Sequence, residues 1–280
     1  SGPAERGSHG QRDARVRVLW IVPVLTCSWK VGPMPLYRDE AVVLRTVKLG
    51  EADRIVTLLT RDHGKVRAVA KGVRRTKSRF GGRLEPFMRS DLLIATGRSL
   101  DVVSQAASVG SYAGPIGADY DAFAAANVIA ETADRVVAAE KEPAGRQYRL
   151  LVGALAALAR HAHPSEAIAL SYVMRALAMA GWSPRLDSCV VCGRGMAREG
   201  DLWLSMEAGG LMCASDHTPN SRRVSRAVVD RVSALLRGDW PAVDAGGGDA
   251  AIVADAARVV EEWSAYYLER PIRSLRWVDS

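Results

Sequence analysis

From residue 41 the chain alternates apolar and polar positions in short runs: AVVLRTVKL at 41–49, RIVTLLTR at 54–61, KVRAVAKGV at 65–73, SDLLIATG at 90–97 and LDVVSQAAS at 100–108. A period of two over such runs, broken at turn residues such as Asp62-His63-Gly64 and Gly97-Arg98, predicts strands. In the third run Val66, Ala68 and Ala70 share one face, while Lys65, Arg67, Val69 and Lys71 share the other, which is basic at three of four positions. Beyond Tyr112 the period lengthens to about 3.6. Phe123, Ala126, Ile129, Ala130, Ala133 and Val137 mark one face of a helix, and helices are also predicted over 148–162, 165–181 and 225–238. A last helix starts near 251 with Ile252, Ala256, Val259, Trp263 and Tyr266 as its buried stripe. Pro271 ends or kinks it, and the glycines at 246–248 read as a linker before it.

Five strands in under about 80 residues leave no room for crossover helices, so they predict a small closed sheet of the OB type. The expected fold class is α+β: an N-terminal five-stranded OB-fold barrel at 34–112, then an all-helical domain at 113–280 with a small cysteine-containing zinc-type insertion at 186–218. Residues 1–33, opening SGPAERGSHG, read as a tag or non-native leader expected to be disordered, with the domain starting at Met34. VRVLWIVPVLTC at 16–27 is apolar but shorter than a membrane span and lacks a small-residue cleavage site, and Cys27 within it reads as a free thiol.

Charge divides along the same boundary. Residues 34–112 carry 15 Lys or Arg against 8 Asp or Glu, whereas residues 113–280 carry 18 against 21, within a 280-residue chain of formal charge +7. A basic half joined to a slightly acidic one points to a polyanion as one partner. Residues 61–90 hold ten cations against two acids. Lys71, Arg74, Arg75, Lys77, Arg79 and Arg83 lie in the loop between the third and fourth strands. A solvated loop is the bland explanation; counterion release on meeting a phosphate backbone is the functional one. Phe80 and Phe87 either anchor this loop against the barrel or stack on bases. With no base-reading motif, binding is expected to be sequence-independent.

Three cysteines and a histidine cluster in CVVCGRGMAREGDLWLSMEAGGLMCASDH at 189–217. Cys189 and Cys192 bracket a turn that presents two thiolates to a tetrahedral metal, and Cys213 follows after an excursion the size of two strands. The fourth ligand is His217 or Asp216. One structural zinc ion is expected, holding a segment too small to bury a core of its own; the alternatives are an empty site, or redox use of the Cys-x-x-Cys pair, which would need a strand leading directly into a helix. His161 and His163 read as surface or capping residues. Glu199, Asp201 and Glu207 are scattered, no His-Glu-x-x-His helix follows, and no Gly-x-x-x-x-Gly-Lys-Ser/Thr loop occurs. The chain is therefore expected not to be an enzyme. No run of about 18 apolar residues suggests a membrane span, and clustered rather than distributed cysteines point to the cytoplasm.

The order of these features resembles the bacterial RecO family of DNA repair and recombination mediators. YRDEAVVLRTVKLGEADRIVTLLTRDHGKVRAVAKGVRR is similar to that family's opening, GWSPRLDSCVVCG and GGLMC to its cysteine region, and YYLERPIRSLR to its closing helix. The resemblance implies binding of single- and double-stranded DNA, strand annealing without catalysis, and a cytoplasmic, nucleoid-associated protein. The implied partners are RecR, the acidic tail of single-stranded DNA-binding protein, and RecA indirectly. It places the DNA surface around Lys65, Arg67, Lys71, Arg74 and Arg75 and the metal at Cys189, Cys192 and Cys213, with Asp216 standing where the family has a fourth cysteine. Arg270, Arg273 and Arg276, beside Tyr266 and Tyr267, are the expected site for the acidic tail. A rival reading is an adaptor whose basic loop meets an acidic protein rather than DNA.

Overall fold

The computed structural model describes residues 35–196 and 201–277; the readings made for residues 1–33, Cys27 and Glu199 lie outside them, as does the side chain of Arg276. Five strands, β1 (Leu36–Leu49), β2 (Asp53–Thr60), β3 (Gly64–Ala70), β4 (Met88–Ala95) and β5 (Asp101–Ser111), close into a barrel in the order β1-β2-β3-β5-β4. Neighbours run antiparallel except at the β3–β5 seam, where Ala68 meets Asp101 and Val69 meets Val102 in parallel. The period-two pattern decides what fills the interior. Val43, Val56, Leu58, Val66, Ala68, Ile94 and Val103 are fully buried there, and Phe80 and Leu84 of the β3–β4 loop pack among them. Both Phe80 and Phe87 are buried, so they anchor the loop and are not available to stack on bases.

Outward-facing Val42, Leu44 and Leu59, with Phe87, belong to a second core shared with the helices. The helices are α1 (Ala113–Gly117), α2 (Tyr120–Val136), α3 (Gly145–Ala159), α4 (Ser165–Met179), α5 (Arg226–Arg237), α6 (Trp240–Ala245) and α7 (Ala250–Tyr267). Residues 167–174 of α4 are buried without interruption, as expected of a helix apolar on all sides at the centre of a bundle. Side-chain caps start the others where the sequence supplies them: Asp119 for α2, Ser225 for α5, Asp239 for α6 and Asp249 for α7.

Several expectations shift by one helical step. Phe123 is 47% exposed, its ring edge against Phe87, because α2 turns its alanine-rich face (Ala122, Ala125, Ala126, Ile129, Ala133) inward, where close helix packing favours small residues. On α7, Tyr266 is 49% exposed and Tyr267 turns inward instead, donating to the Met206 carbonyl at 3.0 Å. Residues 246–248 form a tight 3-10 turn rather than an open linker, and the short α1 and α6 stand where the periodicity gave no helix. After α7 the chain turns at Pro271 and closes with a 3-10 turn over Arg273–Trp277. Its Ile272 and Leu275 are buried in the helical core. The Glu131 carboxylate of α2 accepts from the Arg273 and Ser274 amides at 3.1 and 3.0 Å.

The cysteine-bearing element is a three-stranded sheet, β7 (Gly210–Met212), β6 (Leu202–Ser205) and β8 (Arg222–Val224), in that order. It therefore extends beyond residue 218, since β8 completes it. Among the described residues no helix is long and apolar enough to cross a membrane.

Candidate nucleic-acid interface and metal centre

The loop between β3 and β4 is held at both levels of structure. Val73, Phe80 and Leu84 sink into the barrel. The Gly72 amide donates to Asp53 Oδ1 at 2.7 Å, and the Arg74 amide donates to the Ala52 carbonyl at 3.0 Å. Polar residues between these anchors have nowhere to go but outward, so Lys71, Arg74, Arg75, Lys77, Arg79 and Arg83 are all exposed. Lys71, Arg75, Lys77 and Arg79 line one cleft of about 460 Å³, whose wall includes Asp53. Arg74 reaches away to the carbonyls of Gly50 and Glu51 at the β1–β2 turn, and Arg83 bonds to the Phe80 carbonyl.

Carboxylate pairing separates these cations from most of the other barrel cations. Arg38 pairs with Asp91, Arg45 with Asp134, Arg54 with Glu85, Arg61 with Asp62 and Arg89 with Glu40. Among the described residues, no carboxylate lies within ion-pair distance of the six loop cations. Six cations without an ion-paired carboxylate among the described residues are thus gathered on one loop.

Lys65 departs from the expected surface, whereas Arg67 stays on it with its side chain 42% exposed. Lys65 is only 8% exposed and its Nζ donates to the Asp134 backbone carbonyl at 2.8 Å, with Asp134 Oδ1 at 3.3 Å. Arg67 lies 3.7 Å from Glu140. Both fasten β3 to the helical segment, because the lower half of this strand face is the one the helices cover.

Residues 185–190 run beside the β7 end of the small sheet: Leu211 donates to the Arg185 carbonyl at 2.9 Å and Val190 to the Leu211 carbonyl at 2.8 Å. The turn after Cys189 closes through the Gly193 amide on the Cys189 carbonyl. A second turn brings the Asp216 amide onto the Cys213 carbonyl at 3.1 Å. One ligand atom from each of Cys189, Cys192, Cys213 and Asp216 lies within 4.8 Å of the others, a group that could hold a metal ion. Asp216 Oδ2 is 3.0 Å from the Cys213 sulfur and 3.4 Å from that of Cys189. Hydrogen bonds from the Cys192, Cys213 and Cys189 thiols hold the Asp216 carboxyl below the usual carboxylate range, and the bond to Asp216 pushes the Cys192 thiol up to about 11. Burial opposes ionisation of Cys189, yet the backbone amides of Cys192, Cys213 and Val191 directed at its sulfur lower its pKa.

His217, the other expected fourth ligand, is not in this group. Its ring stacks on Trp203 at 4.0 Å and its Nδ1 lies 2.8 Å from the Ala214 carbonyl, so the next turn residue carries it away from the sulfurs.

Two family models match the chain: Recombination protein O N terminal over residues 34–112 and Recombination protein O C terminal over 117–276. The chain belongs to the RecO family. A protein of Bifidobacterium adolescentis called DNA repair protein RecO is 66% identical over 246 residues, covering 88% of this chain and all of that protein. Proteins of the same name from a Nocardioides species and Thermobifida fusca are 47% and 46% identical, covering 87% and 88% of the chain and 99% of each relative.

In this RecO-family chain a further cleft escaped the sequence reading. About 490 Å³ between α3 and α4 is rimmed by Arg146, Arg149, Arg160 and Arg175 over an apolar floor that includes Leu150 and Met179. At its base the Tyr172 hydroxyl is buried with no hydrogen-bond partner among the described residues, and burial pushes its pKa up. Arg146 and Arg149 followed by Gly153, Ala154 and Ala157 was the available signal: cations one turn apart beside small residues on one helix face. By contrast, the Arg270 and Pro271 carbonyls accept from Arg135, and Arg273 adds its amide to Glu131. This closing segment meets α2 through its backbone, the Ser274 hydroxyl donating to Glu131, and buried apolar side chains.

Proposed function

We propose that the chain is a non-enzymatic DNA repair protein that binds single- and double-stranded DNA without regard to sequence, anneals complementary strands, and acts as a recombination mediator. It would help load RecA onto single strands covered by single-stranded DNA-binding protein. The observation that carries this reading is the loop of six cations without carboxylate partners, four of them lining one cleft. Membership of a family whose relatives are called DNA repair proteins supports it. The strand order and the parallel β3–β5 closure support reading the barrel as an OB-fold.

Phosphates held against this loop release condensed counterions whatever the base sequence. Two strands held on one surface have a raised effective concentration, and base pairing supplies the specificity that the protein lacks. No step of this scheme uses nucleotide hydrolysis.

Three thiolates and a carboxylate suit zinc. Tetrahedral coordination with Zn–S bonds of about 2.3 Å sets sulfur–sulfur edges near about 3.8 Å. Cys192 and Cys213 have that separation, 3.8 Å. Cys189, Cys192, Cys213 and Asp216 would hold the ion, which would contribute folding free energy to the small sheet. The acidic tail of single-stranded DNA-binding protein is assigned to the α3–α4 cleft rather than to Arg270, Arg273 and Arg276, since an acidic peptide with apolar end residues needs cations around an apolar floor. RecR as a partner, and a cytoplasmic, nucleoid-associated location, follow from the family reading.

The test is the salt dependence of binding to a single-stranded oligonucleotide. Replacing Lys71, Arg75, Lys77 and Arg79 with Gln should flatten the slope of log K against log salt by about 3, at about 0.7 per phosphate contact. An unchanged slope would remove the loop from the interface. Absence of oligonucleotide binding, with retention of an acidic protein instead, would favour the adaptor.

A further inference from the structure

The register of the barrel brings four aliphatic residues into one row on its outer surface. Val47 lies opposite Ile55, Ile55 opposite Val69, and Val69 opposite Val102, so the row crosses β1, β2, β3 and β5. Their chain neighbours Val56, Ala68 and Val103 fill the interior, and alternation therefore sends these four outward. Val47 is 47% exposed, and Ile55, Val69 and Val102 are half-buried. Further down the same outer face, Val42, Leu44 and Leu59 are covered by the helical core. Arg45 and Arg67, fastened to Asp134 and Glu140, stand between the covered part and this row. The helices cover the lower part and leave the row half open to solvent.

Immediately beyond the open row lies the cationic cleft. Asp53 and Lys71, which line it, are each two residues along from Ile55 and Val69, a distance of about 7 Å on a strand. The Asp53 carboxylate is occupied by the Gly72 amide, leaving Lys71, Arg75, Lys77 and Arg79 to set the sign of the field. An aliphatic strip alone would suit many partners. A strip bordered one pleat away by Lys71 and the cleft it shares with Arg75, Lys77 and Arg79 suits a polyanion that also has flat apolar faces, which is a single strand with its bases unpaired.

We propose that Val47, Ile55, Val69 and Val102 form the platform on which the bases of a bound single strand lie while the cleft holds its phosphates. This rests on the DNA-binding reading given above and extends it from phosphates to bases. The platform is aliphatic, with no aromatic ring in the row, so it accepts any base and gives each a modest contact. It leaves Watson–Crick edges free, as annealing requires.

The experiment compares a single-stranded oligonucleotide with an abasic strand of the same length and phosphate number, using the full chain at several salt concentrations. The wild type is expected to bind the base-bearing strand more tightly by on the order of tenfold, with equal salt slopes for the two. Combining Val47→Thr, Ile55→Thr and Val69→Thr, which keeps β-branched shape while adding a hydroxyl, should bring that ratio close to one without altering the slope. Val47→Phe, at an exposed position where folding tolerates the ring, should widen the ratio. Equal wild-type affinity for the two strands overturns the platform, as does a ratio that Val47→Phe leaves unchanged. Failure of the wild type to bind either strand would instead overturn the DNA-binding reading itself.

Discussion

Replacing Gly64 with alanine tests how the barrel is joined to the helices. Gly64 has φ +66, and a Cβ there would overlap the Glu142 carbonyl oxygen and stand 2.8 Å from its carbonyl carbon. Carbon approaches a carbonyl oxygen to about 3.3 Å and about half of that would be left, so residues 139–144 would have to withdraw by about 1.5 Å. That withdrawal strains the hydrogen bond from the Lys141 amide to the Lys65 carbonyl, 2.8 Å long, and the pairing of Lys141 with Asp101 at 2.9 Å. The left-handed backbone costs a non-glycine residue about 1 to 2 kcal/mol, and losing the backbone bond adds about 1 kcal/mol. Weakening the Lys141 pairing adds little more, because the buried Asp101 carboxylate keeps its bonds from the Gly97 amide and the Tyr37 hydroxyl. Gly50→Ala is the internal control, since Gly50 has φ +58 but nothing within 4 Å of a Cβ. Thermal unfolding should place Gly64→Ala about 4 to 12 °C below the wild type, at about 2 to 4 °C per kcal/mol for a chain of this size, and Gly50→Ala, which carries the backbone cost alone, about 2 to 8 °C below it. Equal melting temperatures for the two variants would refute the reasoning, because the close approach to Glu142 would then carry no energy.

For the metal centre, elemental analysis of protein purified without chelator should find about one zinc per chain, with Asp216→Ala losing most of it and His217→Ala retaining it; the reverse pattern would restore His217 as the ligand. Lys65→Gln should lower stability by about 2 kcal/mol through its lost bonds to Asp134 while leaving the salt slope of DNA binding intact; a slope reduced by about 0.7 would return Lys65 to the interface. Burial alone would raise the Glu131 pKa, but the Ser274 hydroxyl, the Ser274 and Arg273 amides and Arg135 outweigh it and hold the group below its ordinary value. A depressed carboxyl contributes stability above its unfolded pKa and loses it as pH falls through the folded one. Protection factors at residues 272–275 should therefore fall as pH drops from the ordinary carboxylate range toward the depressed value, and Glu131→Gln should show low protection already at neutral pH; protection indifferent to both would separate Glu131 from the docking of this segment.

The strands were legible because alternation is a local signal: every run read from the sequence overlaps one of the five barrel strands, and Val66, Ala68 and Ala70 face inward as their spacing implies. What periodicity lacks is the partner surface. Lys65 and Arg67 carry the same pattern whether their strand face meets water or a helix, and only the packing of α2 against the barrel desolvates Lys65. Phe123 and Tyr266 missed by one position because a stripe read at 3.6 residues per turn fixes a face only to within about 100°. The three cysteines were visible from spacing. Choosing between Asp216 and His217 was not, since it depends on one further residue of turn geometry and on the attraction of Trp203 for the imidazole. The arginines around the α3–α4 cleft come from two helices and meet only in the folded chain.

Corking the barrel with Phe80 and Leu84 has a consequence for how the basic loop acts. A free arm of the same charge would lose conformational entropy each time it closed on a ligand, whereas this loop has already lost it during folding. The backbone that carries its four cleft cations is preorganised, while their exposed side chains remain free to adjust. Loop order and barrel folding are thereby coupled: the charges can vary freely on the outside, but a polar substitution at Phe80 or Leu84 would free the loop and disperse the cationic cleft without touching a single charge.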